Sequence, residues 1–297
     1  MKRRAFIKTS GALGTLSLLP ISCVLNTLPS KFKLGYQLFS IRDEMAKNPL
    51  ETLKALKSFG YEDFEHYGFD PKDGSYYGYE ASEFKTRLDD LGLSISSGHY
   101  PFAEYFNSAS DTLTKYLDQC IQGALTMKSR YIVWPWTAPE YRNIEGYKKL
   151  AATMNIMGEQ IKKAGLGFAY HNHGYEFQDL EGTTGYDIII KETDPELVKL
   201  QMDMYWVMYE EKTTPIELVK EHAGRYVMWH IKDMHKTSRD YTELGNGSIN
   251  YPEVLPDPGV SGLEFYYIEQ GGNYSENSMK SAEYSAQYFK KRLQQRL

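Results

Sequence analysis

Eight short apolar runs alternate with longer segments of helical composition along this chain, and few folds accommodate that pattern. The runs are 33–39 (KLGYQLF), 62–66 (EDFEH), 93–99 (LSISSGH), 130–135 (RYIVWP), 166–172 (LGFAYHN), 198–204 (VKLQMDM), 226–232 (YVMWHIK) and 264–269 (EFYYIE). Helices are expected over 48–59, 80–91, 108–127, 143–164, 184–193, 214–223 and 276–296. Strand–helix alternation is the mark of βαβ units, which build parallel sheets. Gly60, Gly92 and Gly165 stand at helix ends just ahead of the next strand, where a left-handed residue stops a helix. Asn48-Pro49 and Thr214-Pro215 read as helix starts, a capping side chain followed by proline in the first turn. Eight such units predict a single (β/α)₈ TIM barrel over 33–297. A doubly wound sheet would need a glycine-rich turn after the first strand, and Gln37-Leu38-Phe39-Ser40-Ile41-Arg42 stands there instead.

The N-terminus reads differently from the barrel. Lys2-Arg3-Arg4-Ala5-Phe6-Ile7-Lys8 precedes an apolar stretch from Gly11 to Ser22 and then Cys23. This arrangement predicts a twin-arginine export signal over 1–23, a linker over 24–32, and an exported, periplasmic protein. The apolar stretch is well short of the ~20 residues a membrane-spanning helix needs. Leu19-Pro20-Ile21-Ser22-Cys23 resembles a lipoprotein cleavage box, which makes Cys23 a candidate lipid anchor. Cys120 is the second of two cysteines, so loss or lipidation of Cys23 excludes an intrachain disulfide.

Four of the 34 basic residues lie in 1–23, and the remaining 30 face 39 acidic residues, a formal charge of −9. An acidic chain without a basic tract is a poor nucleic-acid binder.

In a barrel the carboxyl ends of the strands converge on one face, where the chemistry is expected. Five of the seven histidines fall at such ends: His66, His99, His171, His173 and His230. Asp203, His230 and Glu269 form the sharpest constellation, because each ends an apolar run on one of three consecutive strands. A charge there must be compensated for its lost hydration. A divalent cation does this, and a carboxylate–imidazole set without thiolate suits Mn²⁺, Mg²⁺, Co²⁺ or Zn²⁺. The competing reading is a set of buried ion pairs.

Gly35 to Asp43, His171-Asn172-His173-Gly174-Tyr175-Glu176-Phe177, Asp203-Met204-Tyr205-Trp206, His230-Ile231-Lys232-Asp233 and Tyr267-Ile268-Glu269-Gln270 together resemble the xylose isomerase-like barrel superfamily. That superfamily holds sugar-phosphate isomerases and epimerases, inosose dehydratases and an endonuclease branch. The resemblance implies a metal bound by Glu, Asp, His and Glu, of which the last three map onto Asp203, His230 and Glu269. The first glutamate is missing from its strand end. Glu176 is the expected replacement, with His171 and His173 as alternatives. The resemblance also implies two groups that exchange the proton beside a carbonyl, Glu269 and either Glu176 or His171. His99, His173, Lys232, Asp233 and Glu65 are expected to contact sugar oxygens, with Gln37 a further candidate, and Trp134, Trp136 and Trp206 to stack on a ring. Gly245-Asn246-Gly247 is a weak signal for a loop that approaches substrate or phosphate.

The expected activity is metal-dependent sugar isomerisation or epimerisation through an enediolate. The alternative is a lyase or dehydratase that cleaves a 3-keto-glycoside or inosose-like substrate by β-elimination. A non-catalytic sugar-binding protein is a further reading. An endonuclease is opposed by the charge, and homo-oligomerisation is left open.

Overall fold

The computed structural model describes residues 31–108 and 110–297. The expected export signal over 1–23, with Cys23, lies outside the described residues, as does most of the 24–32 linker.

Eight parallel strands close into a barrel: β1 (Gly35–Gln37), β2 (Asp63–His66), β3 (Ser94–His99), β4 (Tyr131–Trp134), β5 (Gly167–His171), β6 (Lys199–Asp203), β7 (Tyr226–Ile231) and β8 (Phe265–Ile268). Each lies inside the range its sequence predicts. The reason is compositional, since strands covered on both faces are near-continuous apolar runs, and β7 is buried at all six positions. The barrel closes where Tyr36 pairs with Ile268. Gly35 permits this seam, because a Cβ there would stand 2.0 Å from the Tyr266 carbonyl oxygen.

The outer layer comprises α1 (Pro49–Phe59), α2 (Ala81–Asp90), α3 (Ser110–Met127), α4 (Ile144–Lys163), α5 (Gly185–Glu192), α6 (Met204–Glu210), α7 (Pro215–Glu221) and α8 (Ser278–Arg292), with shorter turns between. Their ends are chemically specified. Asn48 accepts the Glu51 N–H ahead of Pro49, and Gly60 ends α1 at φ +96°. Thr184 with Asp187, and Thr214 with Glu217, form reciprocal capping boxes. The short helix α6, which follows β6 without a loop, was not expected. The long connection 233–262 contains a hairpin pairing Asp233–Met234 with Tyr241–Thr242.

Most buried apolar side chains pack between barrel and helices. A second, smaller cluster of Tyr131, Val133, Ala169, Val227, Met228 and Tyr267 draws on β4, β5, β7 and β8. Ala169, Met228 and Tyr267 stand two positions before His171, His230 and Glu269. The period-two register of a strand puts each pair on one face, so this cluster underlies the site.

Candidate active site

Glu65, near the end of β2, is the hub of the barrel mouth. Its side chain has no exposure. Its Oε2 accepts from Gln37 Nε2 at 2.6 Å and lies 2.5 Å from His230 Nε2 and 3.1 Å from His99 Nε2. Its Oε1 accepts from Ser97 Oγ at 2.7 Å and Gln201 Nε2 at 2.6 Å. Burial works against this charge, but the His99 and His230 imidazoles outweigh it and hold the carboxyl well below the ordinary range.

An ionised carboxylate only accepts, so Glu65 orients what surrounds it. The Gln201 amide turns its NH₂ to Glu65, which leaves Oε1 to accept from His99 Nε2 at 2.7 Å and His171 Nδ1 at 3.0 Å. His171 is thereby the Nδ1–H tautomer, with the Nε2 lone pair free. That Nε2 stands 3.9 Å from Asp203 Oδ2. Burial, then the neighbouring His230, His99 and His173 imidazoles, push the His171 pKa well down, so the ring is neutral.

Asp203, His230 and Glu269 converge as the sequence suggested: one ligand atom from each lies within 4.8 Å of the others. His230 Nδ1 is 2.6 Å from Glu269 Oε2. Lys232 Nζ bridges Asp203 Oδ2 at 2.8 Å and Glu269 Oε2 at 2.9 Å. Burial works against both sides of that bridge, yet Asp203 and Glu269 keep Lys232 charged, and Lys232 and His230 keep Glu269 ionised. For His230, burial is outweighed by Glu65 and Glu269, which raise its pKa to about 10.

These residues fit a divalent cation. Three buried carboxylates (Glu65, Asp203 and Glu269) face one ammonium, Lys232, and one imidazolium, His230, with the His99 imidazole also against Glu65. A divalent ion in place of the His230 Nδ1 proton would bring the cluster to neutrality. Glu65 on Nε2 is then the outer carboxylate of a carboxylate–histidine–metal triad, which fixes the tautomer with Nδ1 free to ligate.

The floor opens into a cleft of about 360 Å³ lined by His99, His171, His173, Lys232 and Glu269 below, and by Phe39, Tyr67, Pro101, Pro135, Trp136, Trp206, Tyr241 and Gly271 above. His173 is pushed down to a pKa of about 3 by burial, then by Lys232, and is neutral. A larger hollow of about 560 Å³ lies at the opposite end of the barrel, among Phe32, Asp63, Ser94 and Arg130, and shares no residue with this cluster.

Several expected site residues sit elsewhere. Glu176 is not at the Asp203–His230–Glu269 cluster. The turn Tyr175–Phe177 carries it back into the protein, where Oε1 accepts from the Tyr170 hydroxyl at 2.5 Å and Oε2 from the His173 N–H at 2.8 Å. Burial raises its pKa to about 7. Glu65 is spent on its five donors and does not line the cleft. Asp233 accepts the N–H groups of Met234, Gly245, Gly247 and Ile249. It therefore fills the Gly245-Asn246-Gly247 turn with its own carboxylate, which leaves that turn unable to take a phosphate. Trp134 is fully buried against Phe102 and Phe106, its Nε1 donating to the Trp136 carbonyl. Gln201 was missed, although its position two before Asp203 puts it on the same strand face.

No described helix is long and apolar enough to cross a membrane.

Comparison with known proteins agrees with this architecture. Inosose dehydratase of Clostridium perfringens is 27% identical over 165 residues, 48% of this chain and 54% of that enzyme. The chain thus spans about half the length of the curated relatives it matches. A solved sugar phosphate isomerase/epimerase of Parabacteroides distasonis is similar with a TM-score of 0.80 at 25% identity, covering 93% of this chain and 99% of the other. A structure of the IolI protein with a bound zinc atom has a TM-score of 0.68 at 13% identity over 90% of this chain and 99% of the other, and shares the fold. Residues 53–257, more than half of the chain, match the xylose isomerase-like TIM barrel family, and the chain belongs to that family.

Proposed function

We propose that this protein is a metal-dependent sugar isomerase or epimerase that removes the proton beside the carbonyl of a keto-sugar. The observation that carries the reading is the convergence of Asp203, His230 and Glu269 within 4.8 Å beneath an aromatic-lined cleft. The Parabacteroides relative, named a sugar phosphate isomerase/epimerase, supports the same class. His171, with its Nε2 lone pair aimed beside Asp203, takes the fourth corner in place of Glu176. Two imidazoles and two carboxylates favour Zn²⁺, Co²⁺ or Mn²⁺ over Mg²⁺.

The cation, when bound, supplies Lewis-acid stabilisation of charge on the substrate's carbonyl oxygen. The protein supplies the rest. Glu269 engages Lys232 and His230 through Oε2, which leaves Oε1 to take the proton. Lys232 holds Glu269 in place and keeps a positive charge over the reacting atoms. His99 and His173 offer hydrogen bonds to substrate hydroxyls. Among the described residues lining the cleft, Glu269 is the only carboxylate. One base suffices to move a proton between neighbouring carbons on one face, whereas epimerisation needs a second base opposite, for which the cleft offers the neutral His173 imidazole.

The same arrangement favours a second reading. One base also suffices for β-elimination, and the curated relatives at 27% identity are inosose dehydratases. Incubation of the Mn²⁺-loaded protein with keto-sugars and 3-keto-glycosides in D₂O separates the two. Deuterium in a recovered sugar skeleton supports isomerisation, and a released aglycone or water-loss product supports the lyase. Absence of exchange and of products across the panel, with Asp203→Asn indistinguishable from wild type, would sink both. Export to the periplasm, proposed from residues 1–23, is tested by fractionating cells that express the full chain and its Arg3→Lys/Arg4→Lys variant.

A further inference from the structure

Two large aromatic side chains stand in the open at the mouth of the cleft, each against neighbouring side chains. Phe39 and Trp136 are each 41% exposed, in contrast to the aromatic residues packed below them. Phe39 follows β1 and Trp136 follows β4, three strands around the barrel, so they stand on different sides of the mouth. Each is backed by an arginine. The Arg42 guanidinium lies 4.4 Å from the Phe39 ring, and Arg142 lies 5.5 Å from Trp136 and 3.5 Å from Tyr175. Both arginines are tied down in turn: Arg42 donates to the Phe39 carbonyl at 2.9 Å and Arg142 to the Thr137 carbonyl at 2.9 Å. Tyr67 meets Phe39 edge-on at 5.4 Å. An exposed aromatic with no burial to gain is ordinarily free to move, whereas these are pre-set in place, which lowers the entropy cost of binding a flat partner.

The charges argue in the same direction. Among the described residues lining the cleft, Lys232 is the only lysine or arginine, and two carboxylates hold it. Arg42 and Arg142 lie against aromatic faces and each donates to a backbone carbonyl, and Asp233 occupies the Gly245/Gly247 amides. Among the described residues lining the cleft, a phosphate ester would thus meet no lysine or arginine other than Lys232. The cleft's volume of about 360 Å³ lies within the ~300–1,000 Å³ usual for small-molecule sites.

We infer that the substrate is an unphosphorylated glycoside with a keto group on the reacting ring, which lies on Lys232 and Glu269, while its second ring, a sugar or an aryl group, is clasped at the rim by Phe39 and Trp136. This rests on the proposed function for the reacting ring, whereas the rim subsite is tested by binding alone. Calorimetric titration of the metal-loaded protein with p-nitrophenyl β-D-glucopyranoside, glucose and glucose 6-phosphate provides the test. The glycoside is expected to bind roughly tenfold tighter than glucose, from aromatic contacts of ordinary strength. Phe39→Ala and Trp136→Ala should each weaken the glycoside at least threefold more than glucose, with unchanged melting temperatures.

A glycoside that binds no tighter than glucose, or whose affinity ignores both substitutions, overturns the subsite. Tighter binding of glucose 6-phosphate than of the glycoside overturns the unphosphorylated assignment. Glycoside binding at the rim, with no metal-dependent deuterium exchange in the keto-sugars and 3-keto-glycosides, would sustain the subsite and refute the isomerase reading, so the two failures are distinguishable.

Discussion

Glu65 and Glu176 are both fully buried glutamates wrapped by hydrogen-bond donors, yet their surroundings drive them toward opposite charge states. Burial is the largest influence on each. Around Glu65 it is overcome by His99 and His230, and the carboxyl stays ionised. Around Glu176 the direct donors are a tyrosine hydroxyl and a backbone N–H, the Arg142 charge contributes least, and burial wins, with the pKa near 7. Glu65 has more donors than Glu176 and cationisable ones among them, and it is the imidazoles that outweigh burial. The first glutamate organises the imidazoles of the site, whereas the second anchors the loop that carries His173.

Substitutions can break this contrast. Glu269→Gln has the largest expected effect, a fall in kcat of roughly 10²–10⁴ for loss of the base, with KM moving far less. Glu65→Gln should come next. Removing the acceptor on His230 Nε2 is expected to weaken divalent-metal affinity roughly 10–100-fold, read by competition with a chelator. It should also cost about 3–5 kcal/mol of stability in urea, because buried imidazoles lose their counter-charge.

Glu176→Gln is the smallest effect and the most diagnostic. The folded pKa of about 7 exceeds the unfolded value of 4.5. The unfolded state therefore ionises first, and the wild type loses stability as pH rises from about 4.5 to about 7. The glutamine variant lacks that term. Its stability relative to wild type should improve by about 2–3 kcal/mol between pH 4 and pH 8, measured by urea unfolding at both. A relative loss at pH 8 would mean that Glu176 works as an anion after all.

The same distinction explains what the sequence made legible. Strands such as β7 and β8 are near-continuous apolar runs, and a histidine or carboxylate ending such a run is conspicuous, so Asp203, His230 and Glu269 could be picked out together. Ser97 and Gln201 are uncharged, and nothing in a linear reading separates them from ordinary strand residues, while Gln37 stands out only as a further sugar-contact candidate. Only the closed barrel brings them to Glu65. Glu176 and Asp233 misled because their roles depend on how loops fold back. A three-residue turn carries Glu176 to Tyr170, and the hairpin after β7 wraps its own amides around Asp233. Trp134 misled by register, one residue past Val133, so that it faces the helices and not the cleft. Phe39 was quoted only within a motif, since its exposure at the rim follows from the turn after β1.

The central claim is a divalent cation held by Asp203, His230, Glu269 and His171, and Co²⁺ titration of chelator-stripped protein tests it most directly. Visible absorption reports the ligand set, and calorimetry the stoichiometry. The account predicts one site per chain, lost in Asp203→Ala and His230→Ala, with Glu176→Gln binding as wild type and His171→Ala weakened and spectrally altered. Binding that survives Asp203→Ala and His230→Ala, or no Co²⁺ binding by the wild type, would contradict it.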